Sequence, residues 1–240
     1  MLLKKNLLFL IALVIIGFLS ACDDNNEPDY NLTFKVKPLV NGQPFQLNQA
    51  YLSPQNQRFM YEKFTFYLSH VTLVAPDGTE QPVSEVMWYD LSNPETVKLK
   101  VPDGNYTTLK FSIGLDSIMN ASDPATFAEG HPLSYSQNNY WSWATKYIFA
   151  KLEGRCDNNP NSAEWETAFL YHLGLDTLYR QTSVARTVSL TQDNLTNIEL
   201  TLNVEEIFNN LDIVANKTTH STNNLPLAIQ VTDNFLAAFE

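Results

Sequence analysis

The chain reads Trp141-Ser-Trp-Ala-Thr-Lys-Tyr-Ile-Phe-Ala-Lys-Leu-Glu-Gly154 in the stretch that decides its fold. Trp141 and Trp143 are two residues apart, so they share one face of a strand, whereas a helix would place them about 200° apart. The residues that follow can cover both faces of such a strand: Tyr147, Phe149, Ile148, Ala150 and Leu152. We therefore predict a strand from about 145 to 153.

Short alternating segments recur on both sides of this stretch. Residues 169–173 alternate downstream, and residues 97–101 and 109–115 alternate on either side of the turn Pro102-Asp-Gly-Asn105, which predicts a β-hairpin. Strands at short intervals, separated by Pro, Gly, Asn and Asp, are typical of an antiparallel sandwich. We predict an all-β fold, an antiparallel β-sandwich of about seven or more strands with one or two short accessory helices.

Three segments depart from plain alternation. The phase slips at Ser69-His70, which predicts a β-bulge there. His70 projects into a site in one interpretation and is a strand-end or partly buried histidine in the other. Residues 204–211 and 232–239 are predicted as the accessory helices, and residues 117–139 form a loop long enough to indicate a functional or mobile segment.

Composition indicates a single core. The 240 residues are 44% hydrophobic and 12% aromatic, which is ample for one large β domain. We find no repeat and no linker after residue 30, so we predict one domain over residues 31–240. The formal net charge of −11 argues against nucleic-acid binding and against docking on anionic lipid headgroups.

The amino-terminal residues predict the cellular location of the protein. Two lysines precede an apolar run from Leu7 to Leu19, which is short for a membrane-spanning helix, and Leu19-Ser-Ala-Cys22 resembles a lipoprotein cleavage site. We predict a signal peptide over residues 1–21, lipidation of Cys22 and an acidic flexible tether over residues 22–30; an uncleaved signal anchor is the alternative. The protein would then be lipid-anchored in the bacterial cell envelope, in the outer membrane, facing the periplasm or the cell surface.

The second cysteine has no partner once Cys22 carries lipid. Cys156 lies in the turn-rich run from Glu153 to Pro160, so no internal disulfide is possible and an exposed unpaired thiol is predicted. A copper(I) ligand is the alternative, because thiolates suit that ion.

A set of short motifs lies between residues 30 and 210: Trp141-x-Trp143, Tyr147-x-Phe149, Leu152-Glu-Gly154, Tyr171-His-Leu-Gly174, Phe66-Tyr-Leu-Ser-His-Val71, Val101-Pro-Asp-Gly104 and Phe111-Ser-Ile-Gly114-Leu-Asp116. Together they resemble the MbnP-like periplasmic copper-binding proteins, relatives of the methanobactin-associated protein. The resemblance implies a β-sandwich that binds one copper ion through histidines. In some members a tryptophan is oxidised to kynurenine at the site.

By position, the resemblance implies His172 as a copper ligand and Trp141 as the tryptophan that a redox partner would convert to kynurenine. Copper-binding members carry a histidine soon after the segment that matches Ile113-Gly-Leu-Asp116. This chain has Asn120-Ala121 there, and its nearest histidine is His131. We therefore predict His131 as the second ligand, close to His172 and to the tryptophan.

The residues alone leave alternatives open. The four histidines are not paired at a ligand spacing such as His-x-His, so the residues alone favour a core histidine at His172 over a metal ligand. Unmodified Trp141 is a poor ligand because an indole has an N–H donor and no basic lone pair. An ordinary core aromatic is its alternative.

Motifs of enzymes are absent from the sequence, including Gly-x-Ser-x-Gly, His-Glu-x-x-His and the phosphate-binding loop. We predict a copper-binding lipoprotein that sequesters or handles copper rather than an enzyme. The alternative is a glycan- or protein-binding sandwich without metal. It would use exposed rings as stacking surfaces: Tyr135, Tyr140, Trp141 and Trp165.

Overall fold

A computed structural model describes residues 30–142 and 145–240. The predicted signal peptide, Cys22, the tether up to residue 29 and Trp143 lie outside the described residues. Nowhere in the described ranges is there a helix of the length and apolarity that a membrane span requires.

Strands dominate the described chain and confirm the all-β prediction. The strands are β1 (Leu32–Val40), β2 (Gln43–Pro44), β3 (Tyr51–Leu52), β4 (Arg58–Val74), β5 (Glu80–Asp90), β6 (Val97–Leu99), β7 (Gly104–Ile113), β8 (Tyr140–Trp141), β9 (Lys146–Tyr147), β10 (Ala150–Asp157), β11 (Thr167–Leu173), β12 (Arg180–Leu190), β13 (Thr196–Asn203) and β14 (Thr218–Thr219). The helices are α1 (Ser117–Ala121) and α2 (Leu225–Ala237), with 3₁₀ turns at Pro124–Thr126, Tyr135–Gln137, Asp176–Leu178 and Val204–Phe208.

The larger sheet runs in the order β12-β7-β4-β10-β11-β14, and β3 and β5 also pair with β4. All of these pairs are antiparallel except β11 with β14. β4 is the central strand, and its residues 64–69 are buried without a break. A strand that is covered on both faces loses the polar alternation of a surface strand.

The smaller sheet is built on β1, which pairs with β13 on one side and with β2 and β6. β1 and β13 are parallel, with Leu32 opposite Thr196 and Phe34 opposite Ile198. The prediction of a purely antiparallel sandwich is therefore wrong for this pair. No short turn links two strands so far apart in the chain, so connection length does not impose an antiparallel direction on them.

The core lies between the two sheets and helix α2. Phe34 and Leu200 are fully buried on the smaller sheet. Phe235 of α2 packs on Phe64 and Phe66 of β4, with ring centroids 5.6 and 5.3 Å apart. These aromatic contacts join the helix and the larger sheet in one buried cluster.

The predicted hairpin at residues 97–115 is a crossing between sheets. β6 pairs with β1, whereas β7 pairs with β4 and β12. The buried amide of Asn31 holds the connection on the smaller sheet, because its Nδ2 donates to the Val101 carbonyl at 2.8 Å and its Oδ1 accepts from the Val101 N–H at 2.9 Å. In place of the predicted turn there is a bend at Asp103, after which β7 begins at Gly104, and the predicted pairing of the two flanking strands is wrong.

The bulge predicted at Ser69-His70 is confirmed. The pairing of β4 with β7 shifts register between Ser69 and Thr72, and His70 adopts φ of +50°, in the left-handed region that non-glycine residues seldom enter. The bulge turns the His70 ring toward Asp116, the N-cap residue of α1, with Nε2 2.7 Å from Oδ2.

Cys156 corrects another prediction. It lies within β10, opposite Phe59 and Thr167, and is fully buried rather than exposed in a loop. Burial raises the pKa of its thiol to about 12. A buried thiol with so high a pKa is a packing group and supplies little thiolate for a metal.

Candidate metal centre

His172 sits on β11 between two core residues. Tyr171 and Leu173 point to the buried face, and the alternation of a strand places His172 on the opposite face. There its Nε2 lies 2.6 Å from Oε1 of Glu153 on β10. The residue is still 8% exposed, so it is enclosed but keeps some contact with solvent.

His220 meets His172 because β14 runs parallel to the end of β11. Tyr171 pairs with Thr219, and His220 follows directly. The Nδ1 atoms of the two imidazoles are 3.0 Å apart, across 48 residues of sequence. Ser221 locks this arrangement, since its Oγ donates to the His172 carbonyl and accepts from the Gly174 N–H, both at 2.9 Å.

Trp141 covers the two imidazoles. Its ring centroid lies 5.0 Å from that of His172 and 5.6 Å from that of His220. β8 carries it and pairs with β9, where Trp141 faces Lys146. Gly174 allows β9 to lie this close, because a Cβ at Gly174 would be 2.5 Å from the Tyr147 carbonyl oxygen.

The long segment before Trp141 positions it by folding over the outer face of β4. Asn139 Nδ2 donates to Thr65 Oγ1 at 3.3 Å, and the rings of Tyr147 and Tyr67 meet edge to face at 6.1 Å. The strand predicted for residues 145–153 is interrupted here, at residues 148 and 149, and β10 then runs to Asp157. The interruption separates the element that carries the tryptophan from the sheet that carries His172.

The hydrogen bonds fix the tautomer of His172. A carboxylate has acceptors alone, so Nε2 of His172 carries the proton and donates it to Glu153. Nδ1 of His172 then presents a lone pair, and Nδ1 of His220 is the donor between them. When His220 takes its other tautomer, with the proton on Nε2, the two Nδ1 lone pairs face the same space.

Burial keeps His172 neutral. Desolvation lowers the pKa of the imidazole below its ordinary value, and this effect outweighs the opposing hydrogen bond and charge of Glu153. Lys151, the cross-strand neighbour of His172, lowers the same pKa further. A metal ligand must be unprotonated, so a neutral buried imidazole is ready to bind.

The residues fit a copper ion. Two imidazole nitrogens 3.0 Å apart can each lie about 2 Å from one metal. Imidazole suits copper, and a carboxylate on the remote nitrogen is the usual outer partner of a metal-bound histidine. Over residues 30–142 and 145–240 there is no cluster of three or more His, Cys, Asp or Glu side chains that could hold a metal, and the candidate ligands are the two imidazoles.

His131, predicted as the second ligand, is not part of this arrangement. Its ring stacks on Phe127 with centroids 4.5 Å apart, and its Nδ1 accepts from the Leu133 N–H at 3.1 Å. No ring contact or hydrogen bond joins it to His172 among the described residues. The 3₁₀ turns on both sides fold the loop back on itself, and the imidazole that the structure brings to His172 is that of His220.

Asn120 lies in the region where the family resemblance led us to expect a histidine. Its Nδ2 donates to Asp176 at 2.8 Å, and its Oδ1 accepts from the Tyr147 N–H at 3.1 Å. The amide is buried and ties α1 to β9. Its role here is structural.

His220 was missed because it belongs to none of the motifs in the sequence. It stands in the turn-rich run from Thr218 to Asn224, without hydrophobic alternation. The sequence signal that could have found it is the small number of histidines: with four in the chain, His172 has three possible histidine partners.

The comparison with protein families decides where the chain belongs. A family model described as MbnP matches residues 29–224. The chain belongs to the MbnP family. The family resemblance seen in the sequence motifs is therefore confirmed, and the matched range contains Trp141, His172 and His220.

Other comparisons add less. Among solved structures, MbnP from Methylosinus trichosporium matches with a TM-score of 0.47 and 14% sequence identity, over 73% of this chain and 76% of that chain. No curated protein matches.

Proposed function

We propose that this chain binds one copper ion through Nδ1 of His172 and Nδ1 of His220, and that its role is copper sequestration or handling. The observation that carries the proposal is the 3.0 Å approach of the two Nδ1 atoms, with Glu153 fixing the tautomer of His172. Membership of the MbnP family supports it, since that family is associated with copper and methanobactin. A binding role rather than catalysis is part of the proposal.

Trp141 is proposed as a modifiable third group. It lies against both imidazoles. A redox partner that uses dioxygen to cleave the C2–C3 bond of the indole, with water then releasing the C2 carbon as formate, would leave an aryl amine and a ketone beside them. Either group has the lone pair that the indole lacks. An intact mass and a tryptic map of protein isolated from its native host test this step.

The cellular address is proposed from the amino terminus alone. Lipidation at Cys22 would tether the sandwich to the outer membrane of a bacterial envelope, with the lipid as its one membrane contact. A Cys22→Ser variant should release the protein from the membrane fraction. Unchanged membrane association would count against the anchor.

Metal analysis tests the proposed site. Copper-loaded wild-type protein, passed through a desalting column, should retain about one copper per chain. His172→Ala should lose that copper, and His131→Ala is the matched control that should keep it. If His131→Ala loses the copper and His172→Ala keeps it, the site has been misplaced.

A further inference from the structure

We propose that a second site, a groove along the outer face of β5, binds a neutral saccharide. The groove has a volume of about 530 Å³, within the range of about 300–1,000 Å³ usual for small-molecule sites. Its walls come from β5, from the β5–β6 connection and from the loop before β8. The lining residues used below are Ser84, Trp88, Asp90, Asn93, Glu95 and Gln137.

The alternation of β5 builds one wall. Met87 and Tyr89 are buried toward the core, so Ser84, Trp88 and Asp90 share the opposite face. Trp88 pairs with Tyr67 of the central strand, which fixes its backbone in the sheet. A ring held on a strand is a rigid platform, as a binding site requires.

The chemistry of the lining selects the ligand class. An aromatic ring offers a face on which the C–H groups of a sugar can pack, and carboxylates, amides and hydroxyls offer donors and acceptors for its hydroxyls. Asp90 and Glu95 are the carboxylates, and Asn93 and Gln137 are the amides. None of the described residues that line the groove is a lysine, arginine or histidine, so a phosphate or carboxylate ligand would meet negative charge without a counter-charge.

Several of these groups are oriented in advance and keep atoms free for a ligand. Oδ1 of Asp90 accepts from the Ser92 N–H at 2.8 Å. Gln137 Nε2 donates to the His131 carbonyl at 3.2 Å, which fixes the amide and leaves its oxygen as an acceptor.

This groove differs from the aromatic surface expected from the sequence. Trp165 is covered by the guanidinium of Arg58, 3.9 Å above its ring. Tyr140 is held between Tyr135 and Tyr147, with centroids 5.9 and 4.9 Å away, and Trp141 covers the histidine pair. Trp165, Tyr140 and Trp141 are thus engaged by neighbouring side chains, whereas Trp88 lines a groove with polar groups around it.

Titration calorimetry with neutral tetrasaccharides of glucose, mannose, galactose, xylose and N-acetylglucosamine tests the proposal on the copper-loaded protein. At least one should bind with a Kd of about 1 mM or tighter. Trp88→Ala should weaken that binding by about tenfold or more, and the matched control Trp165→Ala should leave it unchanged. Because Trp88 is partly buried, Asp90→Asn and Gln137→Ala are tested beside it as variants that leave the core intact, and each should also weaken binding.

The saccharide proposal and the copper proposal can fail independently of each other. Saccharide binding should persist in His172→Ala, since no groove residue is a copper ligand. The proposal is overturned if none of these neutral tetrasaccharides binds, or if all three groove variants bind like wild type.

Discussion

His172 and His70 are each held by a carboxylate through Nε2, and they differ in what surrounds the rest of the ring. Glu153 lies 2.6 Å from His172, and Asp116 lies 2.7 Å from His70. The side chain of His172 is 9% exposed and that of His70 is 40% exposed. Nδ1 of His172 faces a second imidazole, whereas the ring neighbour of His70 is the edge of Tyr179, with centroids 6.3 Å apart.

These surroundings distinguish His70, which is only held in orientation, from His172, which is proposed to bind metal. A carboxylate partner fixes a tautomer in both places, and at His70 it also accepts the N–H groups that cap α1. Of the two histidines, His172 alone has a second imidazole nitrogen beside it and a largely buried side chain. The proposed metal centre therefore rests on the second imidazole and not on the histidine–carboxylate pair alone.

The largest expected effect comes from removing that second imidazole. His220→Ala should weaken copper(II) binding by more than the 10–100-fold typical of an outer-shell change, because it removes a ligand rather than a support. His70→Ala is the matched control and should bind copper like wild type. Competition against a chelator of known affinity measures the copper affinity of both variants. Equal affinities in His220→Ala and His70→Ala would contradict the claim that the second imidazole makes the site at His172.

The two carboxylates should differ next. Glu153→Gln should weaken copper binding by about 10–100-fold, since the remote nitrogen of His172 loses its fixed acceptor. Asp116→Ala should leave copper affinity unchanged but lower the free energy of unfolding by about 1 kcal/mol through loss of the N-cap of α1. Chelator competition and urea unfolding of both variants check this; a copper defect in Asp116→Ala would contradict it.

Acid should act on the enclosed ring through its lowered pKa. Below about pH 6.5 the unfolded chain protonates His172 while the folded chain resists, so the unfolded state binds more protons. The stability of the metal-free protein should therefore fall as pH drops below that value, by as much as about 1.4 kcal/mol per pH unit for this group. Urea unfolding between pH 7 and pH 5 measures the slope, and a His172→Asn variant that shows the same slope would assign it to other groups.

The smallest effect is expected at Cys156. Its buried thiol, with a pKa of about 12, should resist alkylation in the native protein and react only after unfolding. Cys156→Ala should keep the copper of wild type, which would leave the histidine pair as the site. Mass spectrometry after iodoacetamide treatment and metal analysis give the two readouts; copper loss in the variant would restore the thiol as a ligand.

Sequence predicted what local patterning controls. Alternation over residues 169–173 predicted β11, and the phase slip at Ser69-His70 predicted the bulge. It did not predict which strands pair across long separations, because a turn such as residues 102–105 has the same chemistry whether it closes a hairpin or crosses between sheets. The residues of the proposed site divide in the same way, into those marked by local motifs and one brought in by long-range packing.

Within the site, His172 and Trp141 lie in motifs that mark the family, and the structure places them together. His220 reaches them through the parallel pairing of β14 with β11, a contact set by tertiary packing and not by any local pattern. Two of the three groups were therefore accessible from sequence. The third needed the fold.

Pulsed electron paramagnetic resonance of the copper(II) protein tests the central claim most directly, because the remote nitrogen of each bound imidazole modulates the echo and the imidazoles can be counted. Two imidazoles are expected in wild type and in His131→Ala, and one in His220→Ala. Two imidazoles that persist in His220→Ala, or a loss of one in His131→Ala, would contradict the assignment of the metal centre to His172 and His220.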